Sequence, residues 1–420
     1  MIQLSSVESS SFTKYIEKLS RELWERQALA QGYDPIIIQA YGEKLSQAIK
    51  SGFGKDYVDF DFDGKDYGLL HSLESNVWQF STAKNYQQLK QMSEALLKPD
   101  GTRRSFDEFR IQTALITGEQ LRHLKTEYQT AVAGAQMAAK WNEIQQNKDI
   151  YPLLEFIAVE DDHTSALCRS LDGVIRPVDD AFWMQFYPPN HYNCRSTVKQ
   201  LRKGDITDED KIIRPNIPGI FKVNLGERGL AFPEDHAYFD GMPAEVMKDA
   251  RKHFPYNMQF DLMDLPNDAK GIVRQHFMVD TLASDYQRIL NIAFEIIQKE
   301  KVIVDILPEL NPNKWNSLRA TILPDAKTNK SPDLRINKVL WEEEGVYVLG
   351  KNTISDAIKD GARQADNIII SLLVEDYPGD EYLENKAKGA FNIRRYLNVI
   401  EFRHKDKVLT FQNPYKSKGD

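Results

Sequence analysis

Two cysteines and two histidines fall within a single stretch, residues 161–198, of a 420-residue chain. Cys168 and Cys194 are the chain's two cysteines. His163 lies shortly before the first, and His191 shortly before the second. Neutral imidazole and thiolate are the donor pair that zinc prefers, and four such donors close a structural site. Cys168, His191 and Cys194 offer three of the four. His163 offers a fourth, as do the carboxylates Asp161 and Asp162. The spacing is not that of a standard zinc finger. Two other readings stand beside zinc. A Cys168–Cys194 disulfide would staple the same loop in an oxidising compartment. The plainest alternative is two reduced thiols buried in a packed turn. The turn Leu171-Asp172-Gly173 and the aromatics Phe182, Trp183, Phe186 and Tyr187 lie between the cysteines. The pattern describes a small stapled module rather than a regular helix or strand.

A second set of candidates lies near the C-terminus. Asp333 precedes a strand-like run, and Glu342, Glu343 and Glu344 end it. An Asp and a Glu on adjacent strand ends can hold Mg2+ and activate water against a phosphodiester, with a lysine nearby to stabilise charge. Lys351 is the nearest lysine after the acids, and Gln364 lies on the following helix. The alternative is a solvated acidic turn followed by an amphipathic helix. Asp59, Asp61, Asp63 and Gly64 alternate as in a calcium loop but lack its closing Glu, so a strand or turn is expected there. His236, in FPEDHAYF, reads as a structural histidine.

Both regions resemble known families. Asp161-Asp162-x-Thr164, Cys168-Arg-x-Leu171-Asp172-Gly173 and FW-x-x-FYPPN-x-x-NCRSTV are similar to the phage Mu F-type minor head domain, also called phage head morphogenesis. The resemblance covers roughly residues 105–240. Many members carry another cysteine shortly before the position of Cys168, where this chain has Ser165. The resemblance implies a virion protein at the portal or capsid interior, with portal and capsid proteins as partners. SPDLRINKVLWEEE and GKNTISDAIKDGARQADNIII resemble the tRNase domain of contact-dependent-inhibition toxins, a PD-(D/E)xK-type nuclease fold. That resemblance implies Asp333 and Glu342 as Mg2+ ligands, Gln364 as a supporting residue, tRNA or another nucleic acid as substrate, and an immunity protein as partner. The chain departs from it at Glu344, where the family has lysine, and Lys351 is the candidate substitute. An inert C-terminal domain in a purely structural protein is one alternative. A polymorphic toxin using the head-like region for delivery is another.

The elements that must position these residues are legible in part. Phe12, Ile16, Leu19 and Leu23 recur at helical spacing. Asp34-Pro35 opens a helix that Gly52 and Gly54 close. Ser105-x-x-Glu108 is a capping box, and Thr117-x-x-Gln120 marks a second helix start. Leu121, Leu124, Tyr128, Val132, Ala135 and Ala139 form an apolar stripe, and residues 153–160 read as a strand. Further on come short strands at 334–341 and 346–349, a helix from Thr353, a buried strand at 367–374, a helix near 381–396 and a hairpin turned at Lys405-Asp406. The expected fold class is α+β and multidomain. A helical region spans 1–104, a Mu F-type domain 105–250, a connector 251–324 and a small α/β domain 325–420. Hydrophobic content of 41% and charged content of 28% are globular values. The net charge of −8 offers no global field for nucleic acid, so any such contact must be local. No apolar run reaches membrane-span length. Host cytoplasm during assembly, then the virion, fits this composition.

Overall fold

The computed structural model describes residues 10–26, 32–57 and 65–416. The calcium-loop-like residues Asp59, Asp61, Asp63 and Gly64 lie outside them. The fold is α+β, and the described chain divides into two units, one ending at Phe254 and the other beginning at Pro255.

The first unit opens with four helices: α1 (Ser10–Arg26), α2 (Pro35–Phe53), α3 (Lys65–Glu94) and α4 (Phe106–Asn147). The Asp34 carboxylate accepts from the backbone N–H groups of Ile36 and Ile37, and Pro35 occupies the first turn, where its missing N–H costs nothing. Gly54, at φ 78°, caps the other end of α2. Ser105 and Glu108 form the reciprocal capping box of α4. The helix then runs unbroken through Thr117, where the sequence marks a new start. Thr117 is buried and its hydroxyl accepts from Gln88, so it serves the bundle interior and caps nothing. The buried face of α4 carries Leu124, Ala131, Ala135 and Ala138, and also Glu127.

After α4 the chain forms β1 (Leu153–Ile157), α5 (Ala166–Arg169), β2 (Ile175–Pro177), α6 (Phe182–Phe186) and β3 (Thr197–Leu201). The three strands make an antiparallel sheet in the order β2-β1-β3. Trp141, Phe156, Trp183, Phe186 and Tyr187 pack into one core with Cys168 and Cys194. α7 (Leu225–Arg228) and α8 (Ala244–Ala250) complete this unit.

The second unit comprises β4 (Phe260–Leu262), β5 (Ile272–His276), α9 (Tyr286–Lys299), β6 (Ile303–Ile306), α10 (Asn316–Ile322), β7 (Leu334–Ile336), β8 (Val339–Val346), α11 (Thr353–Gln364), β9 (Asn367–Leu372), α12 (Asp380–Ile393), β10 (Val399–His404) and β11 (Lys407–Gln412). Its eight strands lie in strict reverse chain order, β11 to β4. The pairs β5–β6, β8–β9 and β9–β10 are parallel, and the rest are antiparallel. The expected connector 251–324 therefore supplies three strands and two helices. Those strands are short, and a buried pair, Arg274 to Asp305 at 2.7 and 2.9 Å, interrupts their apolar pattern. The expected strand 334–341 is a hairpin, turned at Asn337 and Lys338, both at positive φ. The expected strand at 346–349 does not form: β8 ends at Val346, and Tyr347 and Val348 are exposed. β9 is buried on both faces, and the last hairpin turns at Lys405-Asp406, as expected. No helix among the described residues is long and apolar enough to cross a membrane.

Candidate functional site

Local backbone chemistry assembles the Cys/His module. Ser165 caps α5, its hydroxyl accepting from Cys168 N–H at 3.1 Å. Gly173, at φ 73°, donates to the Phe156 carbonyl, and Asp172 accepts from Ala158 N–H at 2.7 Å. These bonds tie the loop to β1 and turn Cys168 inward. On the other side a tight turn, with Cys194 N–H donating to the His191 carbonyl, sets the second cysteine opposite the first.

The two sulfurs are 3.7 Å apart, too far for the S–S bond of about 2 Å. His191 Nε2 lies 3.2 Å from Cys168 Sγ. The donor atoms of Cys168, His191 and Cys194 all lie within 4.8 Å of one another. His191 Nδ1 is 2.8 Å from the Tyr192 carbonyl. A carbonyl only accepts, so Nδ1 carries the proton and the Nε2 lone pair faces the sulfurs. That is the tautomer and the outer-shell support of a metal-binding histidine. Cys194 is drawn down to about 6, first by the hydrogen bond from Cys168 and then by backbone N–H donors. Cys168 is pushed up to about 12 by that same shared proton and by burial. A cavity of about 750 Å3 borders the module on the Cys194 side and is lined there by Cys194, Arg195, Lys140 and Asp66.

His163 stands outside this cluster: it is exposed, and its backbone N–H is held by Asp161. Asp161 is taken as well. Its two oxygens each meet Arg195 at 2.6 Å, and this pairing holds its carboxyl well below the usual range. The Asp161 loop is thus pinned outward on Arg195, and the fourth donor expected from it does not arrive.

The acidic residues of the second unit form a separate cluster. Leu334 pairs with Trp341, which sets Asp333 beside Glu342 one step further along the ladder. Asp333 accepts from Glu343 N–H at 2.8 Å. Glu342 and Glu344 share a face of β8, since strand side chains alternate. Glu343 is on the other face, paired with Arg288 at 2.6 Å. Burial, then the charges of Glu343, Asp285 and Glu344, raises Asp333, and burial, then the charges of Asp333 and Glu344, raises Glu342. Burial, then the charge of Asp360, raises Glu344 to about 7. Glu342 Oε2 is buried with no hydrogen-bond partner, and so is Gln364 Oε1. Lys351 and Gln364 stand at opposite ends of α11. Lys351 is exposed just before α11, while Gln364 ends that 12-residue helix, about 18 Å away by helical rise.

The Cys/His module lies in a region similar to a described family of phage proteins. Residues 82–199 match the family model described as Phage Mu protein F like protein. The chain is 34% identical over 80 residues to the Putative capsid assembly protein F of Escherichia phage Mu, covering 19% of this chain and 18% of that protein. It is 36% identical over 80 residues to the Mu-like prophage FluMu F protein of Haemophilus influenzae, covering 19% of each. The chain thus spans about a fifth of the length of these curated relatives. No solved structure matches it.

Proposed function

We propose that this chain acts in head morphogenesis of a phage or prophage, associating with portal and capsid proteins in the assembling particle. The carrying observation is the similarity over residues 82–199, a segment that contains all of the Cys/His module. In this reading the module is structural. Zn2+ held by Cys168, His191 and Cys194 would tie α5 to the turn after Pro189 and stiffen the surface around β3. Two thiolates at 2.3 Å from a tetrahedral ion stand about 3.8 Å apart, and the sulfurs here are 3.7 Å apart. The test is particle association. The chain is produced together with phage portal and capsid proteins, particles are banded on a gradient, and the chain is followed by immunoblot. It is expected in the particle band. A chain left at the top of a gradient with intact particles in it would sink this reading.

The orphaned Glu342 Oε2 favours a second activity in the other unit, a Mg2+-dependent nuclease acting on tRNA or another nucleic acid. Three acids crowd one end of the β7–β8 hairpin, and the nearby Arg288 is paired with Glu343 on the other face. Mg2+ on Asp333 and Glu342 would relieve their repulsion and satisfy the free oxygen. Glu344 would stand as a third acid, where the resembling nucleases have lysine. The full chain is incubated with total tRNA, with and without Mg2+, beside Asp333→Ala and Glu342→Ala. Cleavage lost in EDTA and in both variants is expected. A folded chain that leaves tRNA and DNA intact makes this unit a binding domain. A neighbouring small protein that blocks the cleavage would be its immunity partner.

A further inference from the structure

A fourth donor atom converges on the Cys/His module. Ser165 Oγ lies 2.9 Å from His191 Nε2. The same nitrogen faces Cys168 Sγ at 3.2 Å. With its proton on Nδ1, the imidazole has one lone pair at Nε2, yet a hydroxyl and a thiol both crowd it. In that neutral form, a single hydrogen bond to the Nε2 lone pair accounts for one of these contacts. An ion between all four atoms accounts for both.

The distances can be compared with those of a tetrahedral shell. Ordinary zinc–ligand bond lengths give edges of about 3.8 Å between sulfurs, about 3.5 Å between sulfur and imidazole, and about 3.3 Å between imidazole and oxygen. The corresponding separations here are 3.7, 3.2 and 2.9 Å. All fall at or slightly inside the expected edges, as they should where hydrogen bonds draw the donors together. Ser165 is also fixed in place, because its hydroxyl caps the short helix that carries Cys168. Charge points the same way. Two thiolates with a neutral imidazole and a neutral hydroxyl cancel a divalent cation, and a neutral centre suits a site whose cysteines are 2% and 5% exposed.

We infer that Ser165 fills the fourth corner of a tetrahedral site for Zn2+ or a similar thiophilic divalent ion, with Cys168, His191 and Cys194 at the other three. This rests on the metal reading above and adds its missing ligand. A hydroxyl is a weaker donor than a thiolate, so the centre binds less tightly than a closed site of cysteines and histidine would.

The test uses the reduced, metal-free full chain titrated with Co2+ and then competed with Zn2+. Thiolate-to-cobalt charge transfer in the near ultraviolet scales with the number of sulfur ligands. Wild type is expected to bind one Co2+ with the intensity of two thiolates. Ser165→Cys should raise that intensity by about half and tighten binding, while Ser165→Ala should weaken binding by about tenfold or more. If wild type binds the ion but Ser165→Cys adds no charge transfer and Ser165→Ala leaves the affinity unchanged, the fourth ligand lies elsewhere and the inference is overturned, with the metal reading intact. If wild type binds no better than Cys168→Ser with Cys194→Ser, the metal centre itself is refuted, and this inference with it.

Discussion

Lys84 has no exposed surface, and its amine meets both oxygens of Glu127 at 2.8 and 2.7 Å. Tyr238 O–H also donates to Glu127, at 3.0 Å, and the amine lies over the rings of Tyr41 and Tyr238. Burial pulls Lys84 below its ordinary pKa even with its partner in place. Removing one partner strands a charge inside the bundle. Glu127→Ala is therefore expected to cost about 3–5 kcal/mol in urea unfolding, while Lys84→Met combined with Glu127→Leu recovers most of that loss. Equal losses in the single and the double variant would mean that the pair contributes packing alone. Nothing in the sequence marked these two residues, because a Lys and a Glu on helices are ordinarily solvated. The cysteines and His191 were legible because their types are rare and chemically matched. His163 had the right type but the wrong place, and Ser165 the right place but a type that reads as a helix cap. The Tyr192 carbonyl that fixes the His191 tautomer is a backbone atom, and no side-chain pattern announces it.

At the scale of elements, α2 and α4 approach until backbone touches backbone. A Cβ on Gly52 would stand 2.2 Å from the Val132 carbonyl oxygen. The sequence reads Gly52 and Gly54 alike, as the close of α2, but only Gly54 has the left-handed conformation of a cap. Gly52 is there for its missing side chain. Gly52→Ala should therefore force the helices apart and cost about 1–3 kcal/mol, seen as a lower melting temperature, although alanine is the better helix former. A neutral or stabilising result would mean that the contact relaxes freely. Helix starts with side-chain caps, at Asp34 and Ser105, could be read directly, since the residue that makes the bond is the residue in the sequence. The β7–β8 turn could not: Lys338 at φ 71° is an uncommon choice for a left-handed position, so the run looked continuous. Strands β4 to β6 were hidden for a related reason. Arg274, His276 and Asp305 are buried within them, and an apolar pattern cannot reveal a strand whose interior is polar.

On the scale of the whole molecule, each unit has its own hydrophobic core, the first with the Cys/His cluster and the second with the crowded acids around Asp333. Two separately assembled cores are expected to melt as two transitions in a calorimeter. An ion that binds only the folded form of one unit raises that unit's transition alone. Zn2+ should lift one transition in wild type and neither in Cys194→Ser. Mg2+ should lift the other, in a way that depends on pH. Burial and repulsion raise the carboxyls of Asp333, Glu342 and Glu344 above their unfolded values, with Glu344 near 7. The folded unit therefore holds protons that the unfolded chain releases. Its share of stability from these groups is present below the ordinary carboxylate range and is lost as pH rises, through about 7 for Asp333 and Glu344 and on towards about 10 for Glu342. Mg2+ needs the same carboxyls without their protons, so its effect grows over the window in which the metal-free unit weakens. The melting temperature of that unit should fall from pH 5 to pH 8 without Mg2+ and fall less with it, and Glu342→Gln should flatten both dependences. A Mg2+ shift of equal size at the two pH values would place the ion away from these acids. A single transition moved by both ions would mean that the two cores unfold as one.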